Sequence, residues 1–267
     1  MMKYIISILI AFSALSYQEI ASHSDFYKKI VEYTKKNKLK TSDVLVVYDI
    51  DNTLLRFKTS FGSDQWYNWQ KEQINNGCPV HCIAKSVNEM LEYSYKATFI
   101  SDMILVEKEI PRLIEKLQET GYGVTSITSR GPVNYPATVR EMNKNGINLN
   151  KVNAPRLPFM TKLQGREVRY ADGIFMTSGL NKGQMLTHLI NRPGINKKYK
   201  AVFFLDDRLK HMKSMDKEYK NNKANKLAVF AYRLTTTDAI VKEFNESDKK
   251  LEIRIGEEFK KLNKDLN

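Results

Sequence analysis

Cysteine is scarce in this chain: 267 residues contain two, Cys78 and Cys82, inside Gly77-Cys78-Pro79-Val80-His81-Cys82. A closed zinc site needs four donors, and Cys78, His81 and Cys82 offer three with no evident fourth. A local disulfide and a pair of free thiols both stay open as readings of the two. No cysteine follows the N-terminal apolar run in lipobox position, which disfavours a lipoprotein. Long apolar runs are missing as well. The only candidate, residues 4–12, falls short of the ~20 residues a spanning helix needs, so no membrane span is expected in the mature chain. No internal repeat is visible, which argues against a solenoid.

Acidic residues are also in deficit, 30 against 43 Lys and Arg, for a net charge of +13. The excess is spread along the chain, with clusters at 35–38, 196–200 and 260–261, and reads as solvated faces beside helices and turns. Nucleic acid is not the expected partner, whereas a positive field favours a small phosphorylated substrate. The oligomeric state is not legible.

What is present is enough apolar residue, 42%, to pack a core and to argue against disorder away from the ends. Met1-Met2-Lys3 followed by the short apolar run has the form of a secretory signal peptide. Small residues place cleavage after Ser16, with Ser22 as the second choice, and an uncleaved anchor is the competing reading. The expectation is an exported chain, periplasmic or secreted, with residues 1–22 as signal and 23–267 as one domain.

The most informative segment is Val44-Leu45-Val46-Val47-Tyr48-Asp49-Ile50-Asp51-Asn52-Thr53. Its β-branched start predicts a strand buried on both faces, as in parallel α/β sheets. Asp49 and Asp51 then stand at the carboxyl end of that strand, the edge where open α/β sheets bind ligands. Alternate residues of an extended chain point the same way, so both carboxylates can face one site. Two carboxylates so close repel unless a cation or a shared proton intervenes, and oxygen-rich neighbours suit Mg²⁺. An ordinary turn could use the same residues.

Further strands are predicted at 122–128, 201–205 and 227–232, and a hairpin at 168–177 around Asp172-Gly173. Helices are predicted after Ser24 or Asp25, at 110–119, at 136–145 and from Asn181-Lys182-Gly183 to 190, with a charged helical tail at the end. Residues of about 57–108 hold no parallel-sheet strand, only helical stretches at 64–74 and 83–95. The alternation predicts an α/β fold with a mainly parallel sheet.

The strand ends and helix starts carry Asp49 and Asp51, then Thr128-Ser129-Arg130, then Lys182, then Asp206-Asp207. In this order the set resembles the haloacid dehalogenase (HAD) superfamily, whose motifs are Asp-x-Asp-x-Thr, a strand-ending Thr or Ser, a Lys and an acidic pair. With its N-terminal signal, its Gly62-Ser63-Asp64-Gln65-Trp66 segment and Thr128-Ser129-Arg130, the chain further resembles a poorly characterised exported bacterial branch, a domain of unknown function. The resemblance implies a Rossmann-like HAD core with a helical cap-like insertion after the first motif. It implies Mg²⁺-dependent hydrolysis of phosphomonoesters, with Asp49 as nucleophile and Asp51 as acid and base. Thr128, Ser129, Arg130 and Lys182 would hold the phosphoryl group. Asp49, Asp51 through its carbonyl, Asp206 and Asp207 would hold the metal.

In the insertion, Gln65, Trp66 and Trp69 could touch substrate, or form the buried stripe of a cap helix. Each motif residue also has a plain structural use: a strand-end hydroxyl bonded to backbone, a solvated lysine, a structural ion pair, a helix cap. Transfer of the phosphoryl group to an alcohol and a non-catalytic exported binding role are the alternative functions.

Overall fold

The computed structural model describes residues 17–151, 154–155, 157–193, 198–220 and 227–265. The apolar run at 4–12 and Ser16 lie outside them, as does part of the basic cluster at 196–200. The chain opens with β1 (Tyr17–Ile20), α1 (His23–Lys36) and β2 (Val44–Tyr48). An insertion follows, with β3 (Leu55–Phe57), α2 (Asp64–Asn75), α3 (Val87–Ile100) and β4 (Met103–Leu105). Then come α4 (Ile110–Glu119), β5 (Gly123–Thr128), α5 (Tyr135–Lys144), β6 (Phe159–Leu163), β7 (Arg166–Ala171) and β8 (Ile174–Met176). The last elements are α6 (Lys182–Ile190), β9 (Ala201–Asp206), α7 (Leu209–Lys220), β10 (Ala228–Leu234), α8 (Asp238–Glu246) and α9 (Lys250–Asp265).

One sheet has the order β1-β10-β9-β2-β5-β8-β7-β6. From β1 to β8 every neighbouring pair is parallel; β7 and β6 run antiparallel at one edge. This is a mixed α/β fold with a mainly parallel sheet, compatible with the Rossmann-like class. Strand β2 shows why a continuous apolar run suits its centre. Val44, Val46 and Tyr48 enter the core under α1, α4 and α5, while Leu45 and Val47 enter the core under α6 and α7. Because β2 lies between β5 and β9, the chain leaves it toward one side and returns to its other side later, the arrangement that opens a crevice above the strand ends.

Turn chemistry explains the hairpin. Asp172 and Gly173 have φ of 51° and 76°, the left-handed pair that a tight two-residue turn requires, and β7 pairs with β8 across it. Helix α1 is capped by Ser22, whose side chain accepts from the Asp25 amide, rather than by Ser24 or Asp25. Strand β1 pairs with β10 from Tyr17 to Ile20, so processing after Ser22 would remove both that strand and the cap. Its four residues, with two adjacent polar ones at the centre, carry no strand pattern in the sequence.

The insertion rises on a two-stranded stem, β3 against β4, which the apolar pattern alone does not reveal. Cys78 and Cys82 are joined as a disulfide beyond α2, with Cα atoms 5.7 Å apart, so the thiol and metal readings of the pair fall away. The tail is not merely a solvated face. Phe244 of α8 and Phe259 of α9 are buried in one cluster with Phe61, Trp66, Ile83 and Met90 of the insertion. The ring centroids of Phe61 and Phe259 are 5.2 Å apart, and those of Trp69 and Phe244 6.3 Å. Insertion and C-terminal helices therefore make one discontinuous cap.

Shortening Phe259 to Ala is expected to cost about 3 kcal/mol, the scale for a buried ring. Denaturant unfolding measures it; a loss within about 0.5 kcal/mol, as at an exposed position, would mean that the tail does not pack on the insertion.

Candidate active site

The crevice over β2 is built from strand ends. The Asp49 amide donates to the Leu205 carbonyl at 2.9 Å, which carries the sheet pairing one residue past β2 and fixes the first acid. The chain then turns: Asn52 adopts φ 57°, a conformation Asn tolerates better than most residues, and the Leu54 and Leu55 amides return to the Ile50 carbonyl. Asp49 and Asp51 thus stand on either side of Ile50 with the loop closed beneath them.

Lys182 lies in the first turn of α6, capped by Asn181, whose side chain accepts from the Gln184 amide at 3.0 Å. An ammonium is poorly placed there, because a helix N-terminus is itself positive. It is also fully buried. Two carboxylates answer both costs: Lys182 Nζ is 2.6 Å from Asp49 Oδ1 and 2.6 Å from Asp206 Oδ2. Gly183 makes the approach possible, since a Cβ there would stand 2.6 Å from the Ser214 carbonyl oxygen of α7.

The charge states follow from this geometry. Burial, reinforced by the nearby Asp206 charge, pushes the Asp49 carboxyl well above its ordinary range. Burial also acts on Asp206, yet the Lys182 ammonium overrides it and holds that carboxyl well below its range. Lys182 is in turn kept charged by Asp206 and Asp49 against its own burial. Burial and repulsion from Asp206 raise Asp207, whose Oδ1 is buried and has no hydrogen-bond partner among the described residues. His211, in the first turn of α7, brings Nδ1 within 2.7 and 2.9 Å of the two Asp206 oxygens. Burial, with Lys182 nearby, pushes the His211 imidazole down to about 4, so the ring is neutral at pH 7 and its Nδ1 proton is donated to the carboxylate.

Arg130 has an unexpected partner. Its Nε and Nη2 donate to the two oxygens of Asp51 at 2.9 and 2.7 Å, and Nη1 donates to Thr138 Oγ1 at 2.9 Å. The Thr128 hydroxyl accepts from the Arg130 amide at 3.2 Å, and Ser129 is exposed beside it. Thr128, Arg130, Asp51, Asp49, Lys182 and Asp206 therefore converge on one strand edge, with Asp207 next to them.

The cap residues divide. Gln65 is buried and its Oε1 accepts from Asn52 Nδ2 at 3.3 Å, which ties α2 to the first-motif loop. Trp66 is 1% exposed inside the cap cluster and is part of the cap's own core. Trp69 is half-buried against Phe244. Asp64 and Arg208 form a 3.3 Å ion pair that joins cap to core beside the acids. Neither this pair nor His211 stands out in sequence. The spacing of His211 from Asp206, in a chain with four histidines, is the one signal that could have marked it.

The cluster around Lys182 makes opposite predictions for two substitutions. Lys182→Met leaves two buried carboxylates without their cation and is expected to lower stability by about 3 kcal/mol. Asp49→Asn removes one of the two repelling charges and leaves the Lys182–Asp206 pair intact, so its unfolding midpoint should equal or exceed the wild type. A reversal of that order in thermal unfolding would contradict the buried arrangement.

No curated protein matches the chain. The family model described as "Protein of unknown function (DUF2608)" matches residues 19–267, nearly its whole length, and the chain belongs to that family.

Proposed function

We propose that this protein is an exported phosphomonoester hydrolase of the HAD type, working through a phosphorylated Asp49 and a divalent cation such as Mg²⁺. The observation that carries the reading is the meeting of Asp49, Asp51, Thr128, Lys182 and Asp206 at one sheet edge from four separate segments of chain. The donor set fits a cation. Atoms of Asp49, Asp206 and His211 that could ligate lie within 4.8 Å of one another, and the orphaned Asp207 oxygen lies in the neighbouring residue. A bound cation would neutralise charge on the phosphoryl oxygens as the reaction proceeds.

In this reading an Asp49 carboxylate oxygen attacks phosphorus and the bond to the leaving oxygen breaks, which divides hydrolysis into two easier steps. Asp51 gives its proton to the leaving oxygen and then takes one from the water that attacks the phosphorylated Asp49, releasing phosphate and restoring the carboxylate. Lys182 offsets the charge of the nucleophile and of the incoming phosphoryl group, with Thr128 and Ser129 as hydrogen-bond donors to its oxygens. The Arg130 guanidinium, which holds Asp51 through both oxygens, matches a phosphate equally well. A phosphoryl group that draws Arg130 away frees Asp51 for proton transfer. The cap covers the site and limits access of bulk water.

Export is supported by the signal-like start of the chain and by the Cys78–Cys82 disulfide, a bond that persists in oxidising compartments. Among the described residues, no helix is long and apolar enough to cross a membrane.

Phosphate release from a panel of phosphomonoesters, with Mg²⁺ and with EDTA, tests the reading. Turnover should require the cation, and Asp49→Asn should lower it by at least ~10³-fold. Folded, Mg²⁺-bound protein that hydrolyses nothing on the panel, or Asp49→Asn that keeps its activity, would overturn it.

A further inference from the structure

The cation site has one feature that an oxygen cage for Mg²⁺ does not need. His211 points its imidazole into the carboxylates: Nδ1 lies 2.7 and 2.9 Å from the Asp206 oxygens, and a ring nitrogen lies within 4.8 Å of ligating oxygens of both Asp49 and Asp206. His211 is 8% exposed, and α7 holds it through the packing of its neighbour Met212, fully buried under the sheet. The His211 amide donates to the Arg208 carbonyl at 2.9 Å, and the Arg208 amide donates to Asp206 Oδ1 at 2.8 Å. Strand end, turn and ring are thus locked in one register.

We infer that His211 is a nitrogen ligand of the cation bound by Asp49 and Asp206, making the site a mixed oxygen and nitrogen centre selective for a first-row transition cation such as Mn²⁺ or Co²⁺. Imidazole adds little to the binding of Mg²⁺, which prefers oxygen, and adds more for the borderline transition ions. The hydrogen bond to Asp206 aims the ring before the cation arrives; on binding, the cation takes the place of the proton between Nδ1 and the carboxylate, and Nε2 takes up a proton from solvent as the Nδ1 proton is given up, so the ring stays a neutral imidazole. The inference shares with the proposed function the presence of a cation between these residues, but not the chemistry performed there.

The test measures binding rather than turnover. Mn²⁺ bound to the full mature chain is examined by electron spin-echo modulation, and the dissociation constants of Mn²⁺ and Mg²⁺ are determined by calorimetry. Both are repeated on His211→Asn, which can still donate a hydrogen bond to Asp206, and on His211→Ala. The wild type should show ¹⁴N modulation of a directly bound imidazole, lost in both variants. Mn²⁺ affinity should fall by about tenfold or more in both while Mg²⁺ affinity changes by less than about threefold.

Bound Mn²⁺ without imidazole modulation in the wild type would overturn the ligand role. Equal losses for the two cations in His211→Ala, rescued in His211→Asn, would assign the ring to orienting Asp206 and overturn it likewise. Absence of any Mn²⁺ or Mg²⁺ binding would remove the cation site itself, and with it the cation requirement of the proposed hydrolase. The unfolding midpoint of each variant, taken without metal, separates a lost ligand from a lost fold.

Discussion

The site is organised around one buried ammonium. Lys182 joins Asp49 from β2 to Asp206 from β9, with 2.6 Å contacts to each, at a place where neither charge sign would be stable alone. Removing such groups from water is expensive, and a pair of carboxylates adds mutual repulsion. The arrangement survives because the sheet register fixes both acids, Asn181 caps the helix that carries the lysine, and Gly183 lets that helix approach α7. A protein needing only stability would fill this space with apolar side chains. Such a concentration of buried, mutually perturbed groups marks a candidate functional site.

The cap extends the same logic. An insertion on a three-residue stem would be free to swing, yet its apolar face is closed by helices from the opposite end of the chain. Two polar ties bring the cap down to the acids: Asn52 to Gln65, and Arg208 to Asp64. A third tie runs from the tail to the first-motif loop, where the Thr237 hydroxyl donates to the Asn52 carbonyl at 3.1 Å. The polar side of α2 and the rim of the core therefore meet beside the acids, while the tryptophan at 66 serves the cap's internal packing.

The parallel sheet was legible because β2, β5 and β9 are buried along their whole length and end in polar clusters, with β10 following as a further short apolar run. The Asp172-Gly173 hairpin was legible from local turn chemistry. What escaped depends on partners distant in the chain. Strand β1 has two exposed polar residues in four and exists because β10 offers an edge. The β3–β4 stem is too short to carry a period. Phe259 is one aromatic in a charged helix, and only the insertion's exposed apolar face makes it core. In the site, the acids and Lys182 could be named from their order along the chain. The pairing of Arg130 with Asp51, and of His211 with Asp206, could not, because a lone Arg or His in sequence carries no sign of what it will face.

Phosphoryl transfer to Asp49, as proposed for this site, would leave a covalent aspartyl phosphate. Brief incubation with a turned-over phosphomonoester, quenching and borohydride reduction convert an aspartyl phosphate to homoserine, which peptide mass spectrometry assigns to a position. Homoserine at position 49, dependent on substrate and absent from Asp49→Asn, is the expected result. Active enzyme that leaves Asp49 unmodified under conditions that trap the intermediate, or that is modified at another aspartate, would contradict it.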